Sequence, residues 1–405
     1  MKVLITTDLY NVSTNGVVTS VKNLLEELEG KGHDVRVLTF SEDIESYKDG
    51  NIYYIKSVPI GFIYPDMRMP ISYRNSLVSE LILWKPDVIH SQCEFFSYQY
   101  AQRIAKITGA PLIHTYHTLY EDYVTYVIPS KWIGKRVVKK LSCMRLKNSQ
   151  KVIAPTNKVQ NILRDYGMEN DICIVPSGLD LSRYNYRMEK EERIAKRNMI
   201  GIEEDAKVLI NLGRVGTEKN IEELVTFFAD AAKEDEKLVF LIVGDGPDIE
   251  KYKELSKKLK VDDNVIFTGK VPWEDMPKYY QIPDIFATSS KSETQGLTVI
   301  EAMAANIPVV CINDESFINT VIDDLNGKIF ENKKEYVKIV IDLMNDKEKL
   351  NRLSKQARIS AEVHSSKYFA QQVLKVYEIA IGPKEKKKGL ITKIKSALKG
   401  GSHEK

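Results

Sequence analysis

Two carboxylates with seven residues between them, Glu293 and Glu301, bracket the stretch SETQGLTVIEA, with Gly296 between them. Paired carboxylates raise glycosidic-bond cleavage first, but a retaining hydrolase needs its carboxyls roughly 5 Å apart. Eight helical steps would hold the two backbones about 12 Å apart. Gly296 fits better as the loop residue that opens a helix LTVIEAMAA, with Glu293 before the helix and Glu301 on it. The N–H groups of Gly296, Leu297 and Thr298 then point outward, ready for phosphate or hydroxyl oxygens. A carboxylate merely favouring the helix dipole is the plainer alternative, and spacing alone prefers it.

Other strand ends carry polar residues. LGRVGTEKN supplies Arg214 and Lys219 after an apolar run; a planar fork and a point charge so placed can hold a diphosphate, although each alone reads as surface charge. VGDGP offers Gly244 and Gly246 for a tight turn and Pro247 for a first helical position. Neither it nor TNGVVTS completes a dinucleotide fingerprint, and no P-loop occurs, which disfavours a dehydrogenase or P-loop nucleotidase. In HTYHTLYEDY, His114 and His117 are three apart. On a strand that spacing puts them on opposite faces, one for the core and one for a cleft, which argues against a two-histidine metal site.

The elements that must position these groups are strands alternating with amphipathic helices. KVLITT, DVRVLTF, PDVIHS, APLIHTYH and KVIAPT form one series; KVLINLG, LVFLIVGDGP, NVIFTGKV, DIFATSS and IPVVCI form another. Such alternation predicts an α/β fold of parallel sheets covered on both faces. The turn-rich, then highly charged segment 176–206 is the expected linker. Two doubly wound domains leave a cleft at the carboxyl ends of their strands, where ligands bind. The expected organisation is one Rossmann-like domain over 1–180, a second over 181–365, a helix over 366–382 that crosses back, and a basic amphipathic tail over 383–405.

With 405 residues, 43% hydrophobic and 28% charged, the chain reads as a two-domain enzyme, neither disordered nor fibrous. No apolar run is long enough to span a bilayer, and the N-terminus reads as a first strand, not a leader. Cys93, Cys143, Cys173 and Cys311 are scattered, arguing against zinc and a disulfide framework and for a reducing cytoplasm. A net charge of +3 is too small to imply nucleic acid.

Together, NGVVTSVKNLLEELEGKGHDVRVLT, HTYHT, VPSGLD, LGRVGTEKN, VGDGP, the spaced glutamates and DLNGKIF resemble the family-4 retaining glycosyltransferases of the GT-B fold, over nearly the whole chain. Each motif is weak; their order and spacing are specific. The resemblance implies that Gly16 lets backbone approach donor phosphate and acceptor, that His117 and Glu293 contact the transferred sugar, and that Arg214 and Lys219 clamp the diphosphate. It further implies Glu301 on the ribose, Val271 main chain at the base, and donors at Gly296, Leu297 and Thr298. The implied reaction moves a hexose, by family weight glucose from UDP-glucose, with retention and with no cofactor or catalytic metal.

The pairing of HTYHTLYEDY with SETQGL resembles the bacterial branch that glucosylates diacylglycerol. A lipid acceptor implies an anionic membrane surface as partner and a peripheral place on the inner face of the cell membrane. SKWIGKRVVKKLSCMRLKN suits such contact: Ile133, Val137, Leu141 and Met144 form a stripe, with Trp132, Lys131, Lys135, Arg136, Lys139 and Lys140 around it. In the tail, Lys393 and Lys395 belong to a second basic amphipathic stretch. The plainer readings are a helix whose stripe packs on the sheet and a solubilising tail. The rival functions are transfer to a polysaccharide or cell-wall intermediate, a nucleotide-sugar epimerase of the same fold, and a membrane-docked binding protein.

Overall fold

The computed structural model describes residues 1–11, 16–60, 67–118 and 131–383, apart from the side chains of Lys131, Ile133 and Lys135. The basic tail, with Lys393 and Lys395, lies outside the described residues.

The first half supplies β1 (Lys2–Thr6), β2 (Asp34–Phe40), β3 (Tyr47–Asp49), β4 (Ile52–Ile55), β5 (Ser57–Pro59), β6 (Arg68–Pro70), β7 (Val88–Ser91), β8 (Leu112–Thr115), β9 (Lys151–Ala154) and β10 (Asp171–Ile174). All but the β5–β6 pair build an 8-stranded sheet in the order β10-β9-β8-β7-β1-β2-β4-β3, parallel except at β3. Its central strands are continuous apolar runs because both faces are covered. Along β1 the side chains alternate: Leu4 joins the core with Leu38, Ile89 and Tyr98, while Val3 and Ile5 join Leu24, Val37 and Val88 on the other face.

The second half supplies β11 (Lys207–Leu212), β12 (Leu238–Val243), β13 (Val265–Phe267), β14 (Ile285–Thr288), β15 (Val309–Ile312) and β16 (Gly327–Phe330). They form an all-parallel 6-stranded sheet in the order β13-β12-β11-β14-β15-β16. In each sheet the chain leaves the starting strand to one side, then returns to build the other. The switch points fall between β1 and β7 and between β11 and β14, where ligands bind in such sheets.

The segment expected as a linker folds for most of its length. Lys190–Met199 is a helix, and its Arg197, only 3% exposed, donates to the carbonyls of Ile282 and Ala206 on the second domain. The chain crosses between domains twice, and the crossings pair: Leu179 N–H donates to the His364 carbonyl (2.9 Å) and Ser366 N–H to the Leu179 carbonyl (2.7 Å). Beyond them the Ser366–Ile381 helix places Phe369, Val373 and Tyr377 in the core of the first sheet. Tyr377 hydroxyl and His90 Nδ1 lie 2.7 Å apart.

Candidate active site

A cavity of about 380 Å³ opens between the carboxyl ends of the two sheets. It brings together Gly16 and His117 from the first domain with Arg214, Lys219, Glu293, Gly296, Leu297 and Thr298 from the second. Glu301 and Val271, also expected at the donor, do not line it.

The helix after Glu293 begins where its local signals place it, at Leu297–Ala304 with Gly296 as N-cap. Gly296 has φ +74°, and a Cβ there would stand 2.6 Å from Phe317 Cε1, so a side chain is excluded twice over. The N-terminal end of this helix meets that of the Gly16–Gly30 helix across the cleft: a Cβ on Gly16 would lie 3.2 Å from Leu297 Cδ1. Both helices thus aim their positive ends at one space.

Arg214 and Lys219 sit on the loop after β11. The glycines of VGDGP hold that loop: a Cβ on Gly244 would strike the Gly213 carbonyl at 1.8 Å, and one on Gly246 the Val215 carbonyl at 2.2 Å. Pro247 is not the first helical residue; the helix starts at Ile249. Lys219 Nζ pairs with Glu293 Oε1 at 2.5 Å. Burial acts to raise the Glu293 carboxyl, but the Lys219 charge and hydrogen bond, helped by Ser290 and Lys158, outweigh it and hold Glu293 below its ordinary value. Glu293 is therefore an ionised acceptor for hydroxyls.

Glu301 lies outside this lining. It is 5% exposed and accepts from Tyr280 hydroxyl at 2.7 Å. Burial lifts its carboxyl to about 7, only partly offset by hydrogen bonds from Tyr280 and Tyr184 and by the Arg183 charge. Val271 is likewise buried, in the second domain's core.

The two histidines divide as their spacing implies. His114 is fully buried, with Nε2 3.1 Å from Glu94 Oε1. His117 reaches the cavity, and its Nε2–H donates to Gln92 Oε1 at 2.7 Å. Burial, with the adjacent His114, lowers His117 to about 3, so the ring is neutral and presents Nδ1 as an acceptor.

These features coincide with what sequence comparison finds. Residues 14–183 match the family model described as Glycosyltransferase Family 4, and residues 192–360 the one described as Glycosyl transferases group 1. An alpha-monoglucosyldiacylglycerol synthase from Streptococcus pneumoniae is 33% identical over 346 residues, covering 85% of this chain and 78% of that protein. The chain belongs to the family-4 glycosyltransferases. A second such synthase, from Acholeplasma laidlawii, is 31% identical over 399 residues, covering 96% of this chain and 99% of the relative. Among solved structures, Anabaena HepE in complex with UDP-glucose superposes with a TM-score of 0.69 at 18% identity, over 93% of this chain and 99% of that one. Sucrose-phosphate synthase from Thermosynechococcus elongatus gives 0.72 at 20% identity, over 93% and 98%. The fold is GT-B, two Rossmann-like domains facing across a cleft.

Several residues of this family-4 glycosyltransferase site have no signal in the sequence. Gln92 holds the His117 ring. Gln295 forms a buried two-point clasp with Ser177, accepting from its N–H (2.7 Å) and donating to its carbonyl (3.0 Å), which joins the SETQGL and VPSGLD stretches. Lys158 reaches across to the Lys291 carbonyl (2.6 Å) and Asp314 (2.8 Å). All depend on topology that brings strand-end loops together.

The basic helix also differs from one expectation. Lys131–Leu146 is helical, but Val137, Leu141 and Met144 are exposed, while Gly134, Val138, Ser142 and Leu146 face inward. The apolar stripe is therefore not packed on the sheet. Trp132 is 63% exposed beneath Arg136, whose guanidinium carbon lies 4.0 Å from the ring centroid. Lys140 is exposed, and Lys139 donates to the Asp165 carbonyl. The Lys135 side chain is outside the described residues.

Proposed function

We propose that this glycosyltransferase moves a hexose, glucose from UDP-glucose, with retention to a neutral lipid, 1,2-diacylglycerol, at an anionic membrane surface. The observation that carries the proposal is one cavity with Arg214, Lys219 and the Leu297–Ala304 helix N-terminus on one wall and neutral His117 on the other. The cations and helix end stabilise the departing diphosphate, the part a metal plays elsewhere, so the proposal includes no catalytic metal or cofactor. Glu293 and His117 Nδ1 receive sugar hydroxyls and fix the anomeric carbon before the acceptor. Retention follows if the acceptor approaches on the leaving group's face and the departing phosphate takes its proton.

The lipid acceptor is supported by the two similar synthases and by the lining on the first domain's side, where Leu9, Val17, Met67, Cys93 and Phe95 are apolar or weakly polar. Membrane contact is supported by exposed Trp132, Val137, Leu141 and Met144 beside Arg136 and Lys140. Each basic residue near an anionic surface adds about 1 kcal/mol. No helix among the described residues is long and apolar enough to cross a membrane, so attachment by this surface is peripheral.

The test is release of UDP from UDP-glucose with vesicles containing diacylglycerol, with the anomeric configuration of the product read by NMR. The proposal expects an alpha-linked glucolipid and loss of orders of magnitude in Lys219→Ala and Glu293→Ala. Transfer to soluble saccharides but not to diacylglycerol would favour the polysaccharide alternative.

A further inference from the structure

The loop that carries Glu293 leaves β14 of the second domain, yet the first domain holds its backbone. Thr156 hydroxyl, at the start of the Asn157–Asp165 helix, donates to the Thr294 carbonyl at 2.8 Å. Two residues on, Lys158 Nζ donates to the Lys291 carbonyl at 2.6 Å, to Asp314 Oδ1 at 2.8 Å and to Ser316 Oγ at 3.0 Å. An ammonium has three hydrogens, and three acceptors of the second domain take them. Ser316 Oγ in turn stands 2.8 Å from the Glu293 carbonyl and 2.5 Å from Asp314 Oδ1. The Lys158 and Asp314 side chains are only 13% and 15% exposed, so solvent screens the pair little. Glu293 is thus gripped from two sides, its carboxylate by Lys219 and its carbonyl, through Ser316, by Lys158.

We propose that Lys158 is a positioning residue that ties the approach of the two domains to the placement of Glu293 in the sugar subsite. It does not line the cavity and touches no reacting atom. These partners all lie across the cleft, so the ammonium keeps them only while the domains stand this close. Arg214 and Lys219, by contrast, both belong to the second domain. A nucleotide diphosphate can therefore bind without the latch, whereas the sugar is correctly seated only with it. Donor binding is separated from donor commitment, and the glycosyl bond is not exposed to cleavage before the cleft shuts out water. The assignment rests on the reading of Glu293 as the sugar contact.

The experiment compares full-length wild type with Lys158→Met, Ser316→Ala and the double variant. Lys158→Met keeps the stem and removes the charge; Asp314 retains the Ser316 N–H and hydroxyl, so no buried carboxylate is left unpaired. Ser316→Ala cuts the link to the Glu293 carbonyl. Turnover of UDP-glucose is followed with 1,2-dioctanoylglycerol as acceptor, UDP affinity by calorimetry, and amide hydrogen exchange over residues 291–297 without ligand. In Lys158→Met, kcat should fall about 10- to 100-fold, the cost of a reacting group misplaced by about 1 Å. The KM for UDP-glucose and the UDP affinity should stay unchanged, and exchange over 291–297 should quicken. The double variant should be no slower than Lys158→Met, because the two residues act through one link. An unchanged kcat, a loss that appears in UDP affinity instead, or effects that multiply in the double variant overturns the assignment. If Lys158→Met does not fold, Ser316→Ala must show the same split, and a normal kcat there overturns it equally. Normal turnover in Glu293→Ala defeats the sugar reading of Glu293, whereas a loss there with none in Lys158→Met defeats the latch alone. If wild type transfers nothing to dioctanoylglycerol, the lipid reading falls and hydrogen exchange decides: unchanged exchange over 291–297 overturns the latch.

Discussion

Lys219 Nζ stands 2.5 Å from Glu293 Oε1, so without donor the cation expected at the diphosphate is already held by the carboxylate expected at the sugar. On the proposed reading, donor binding exchanges this pair for phosphate and hydroxyl contacts. Glu293→Gln releases the cation while removing a sugar contact. UDP should bind the variant at least as tightly as wild type, while turnover of UDP-glucose falls on the order of 100-fold, about 3 kcal/mol. Calorimetry with UDP and steady-state rates separate the two effects; weaker UDP binding would count against a competing pair.

His117 is kept neutral by burial and oriented by Gln92. Folding lowers its affinity for protons, so its contribution to stability is full above about pH 6.5 and is lost as pH falls toward 3. Gln92→Glu puts a carboxylate against the ring and should raise the His117 pKa by at least about one unit. Ring NMR titration reads that directly, and activity should acquire an acid limb within the assay range. An unmoved ring pKa would show that Gln92 does not hold it.

Glu301 has the opposite sign. Its folded carboxyl is raised to about 7, so the folded state binds more protons than the unfolded one, and stability declines as pH rises from about 4.5 to 7. Glu301→Gln keeps the Tyr280 hydrogen bond and removes the buried charge. It should be more stable than wild type by about 3 kcal/mol at pH 8, with the gain shrinking toward pH 5. Denaturant unfolding at both pH values checks this; a gain independent of pH would rule out ionisation as its cause.

Leu141 and Met144 are exposed on the basic helix, so charging them leaves the core intact. Leu141→Glu with Met144→Glu should weaken sedimentation with anionic vesicles about 10-fold or more, from lost apolar burial and added repulsion. Activity on dispersed 1,2-dioctanoylglycerol should persist. Unchanged vesicle binding would move the contact to another surface.

The fold was legible because parallel strands buried on both faces are written as uninterrupted apolar runs such as KVLIT and LVFLIV. Glu293, Gly296 and the helix that carries Glu301 were legible because a helix start is a local event. Gln92 against His117 and Gln295 against Ser177 were not, since those partners meet only through strand order. Which face of the Lys131–Leu146 helix turns inward was not legible for a related reason: apolar residues lie on two of its strips, and periodicity does not say which one meets the sheet. Glu301 behind Tyr280 and Tyr184 shows the same limit within a motif, because spacing places a carboxylate on a helix but not the aromatic rings that enclose it.

The return of the Ser366–Ile381 helix to the first sheet also sets an order on synthesis. The core of the second domain draws on residues between Leu179 and Ala361 alone, whereas the first domain's core includes Phe369, Val373, Val376 and Tyr377. A nascent chain emerges N-terminus first, yet the half that leaves the ribosome earlier cannot close until nearly the last of the described residues has followed it. Ribosome-held chains in which residue 365, but not the Ser366–Ile381 helix, has cleared the exit tunnel should resist protease in their second half and remain cleavable in their first. The domain that begins first is finished last, and until then its uncovered sheet face is a natural client for a chaperone.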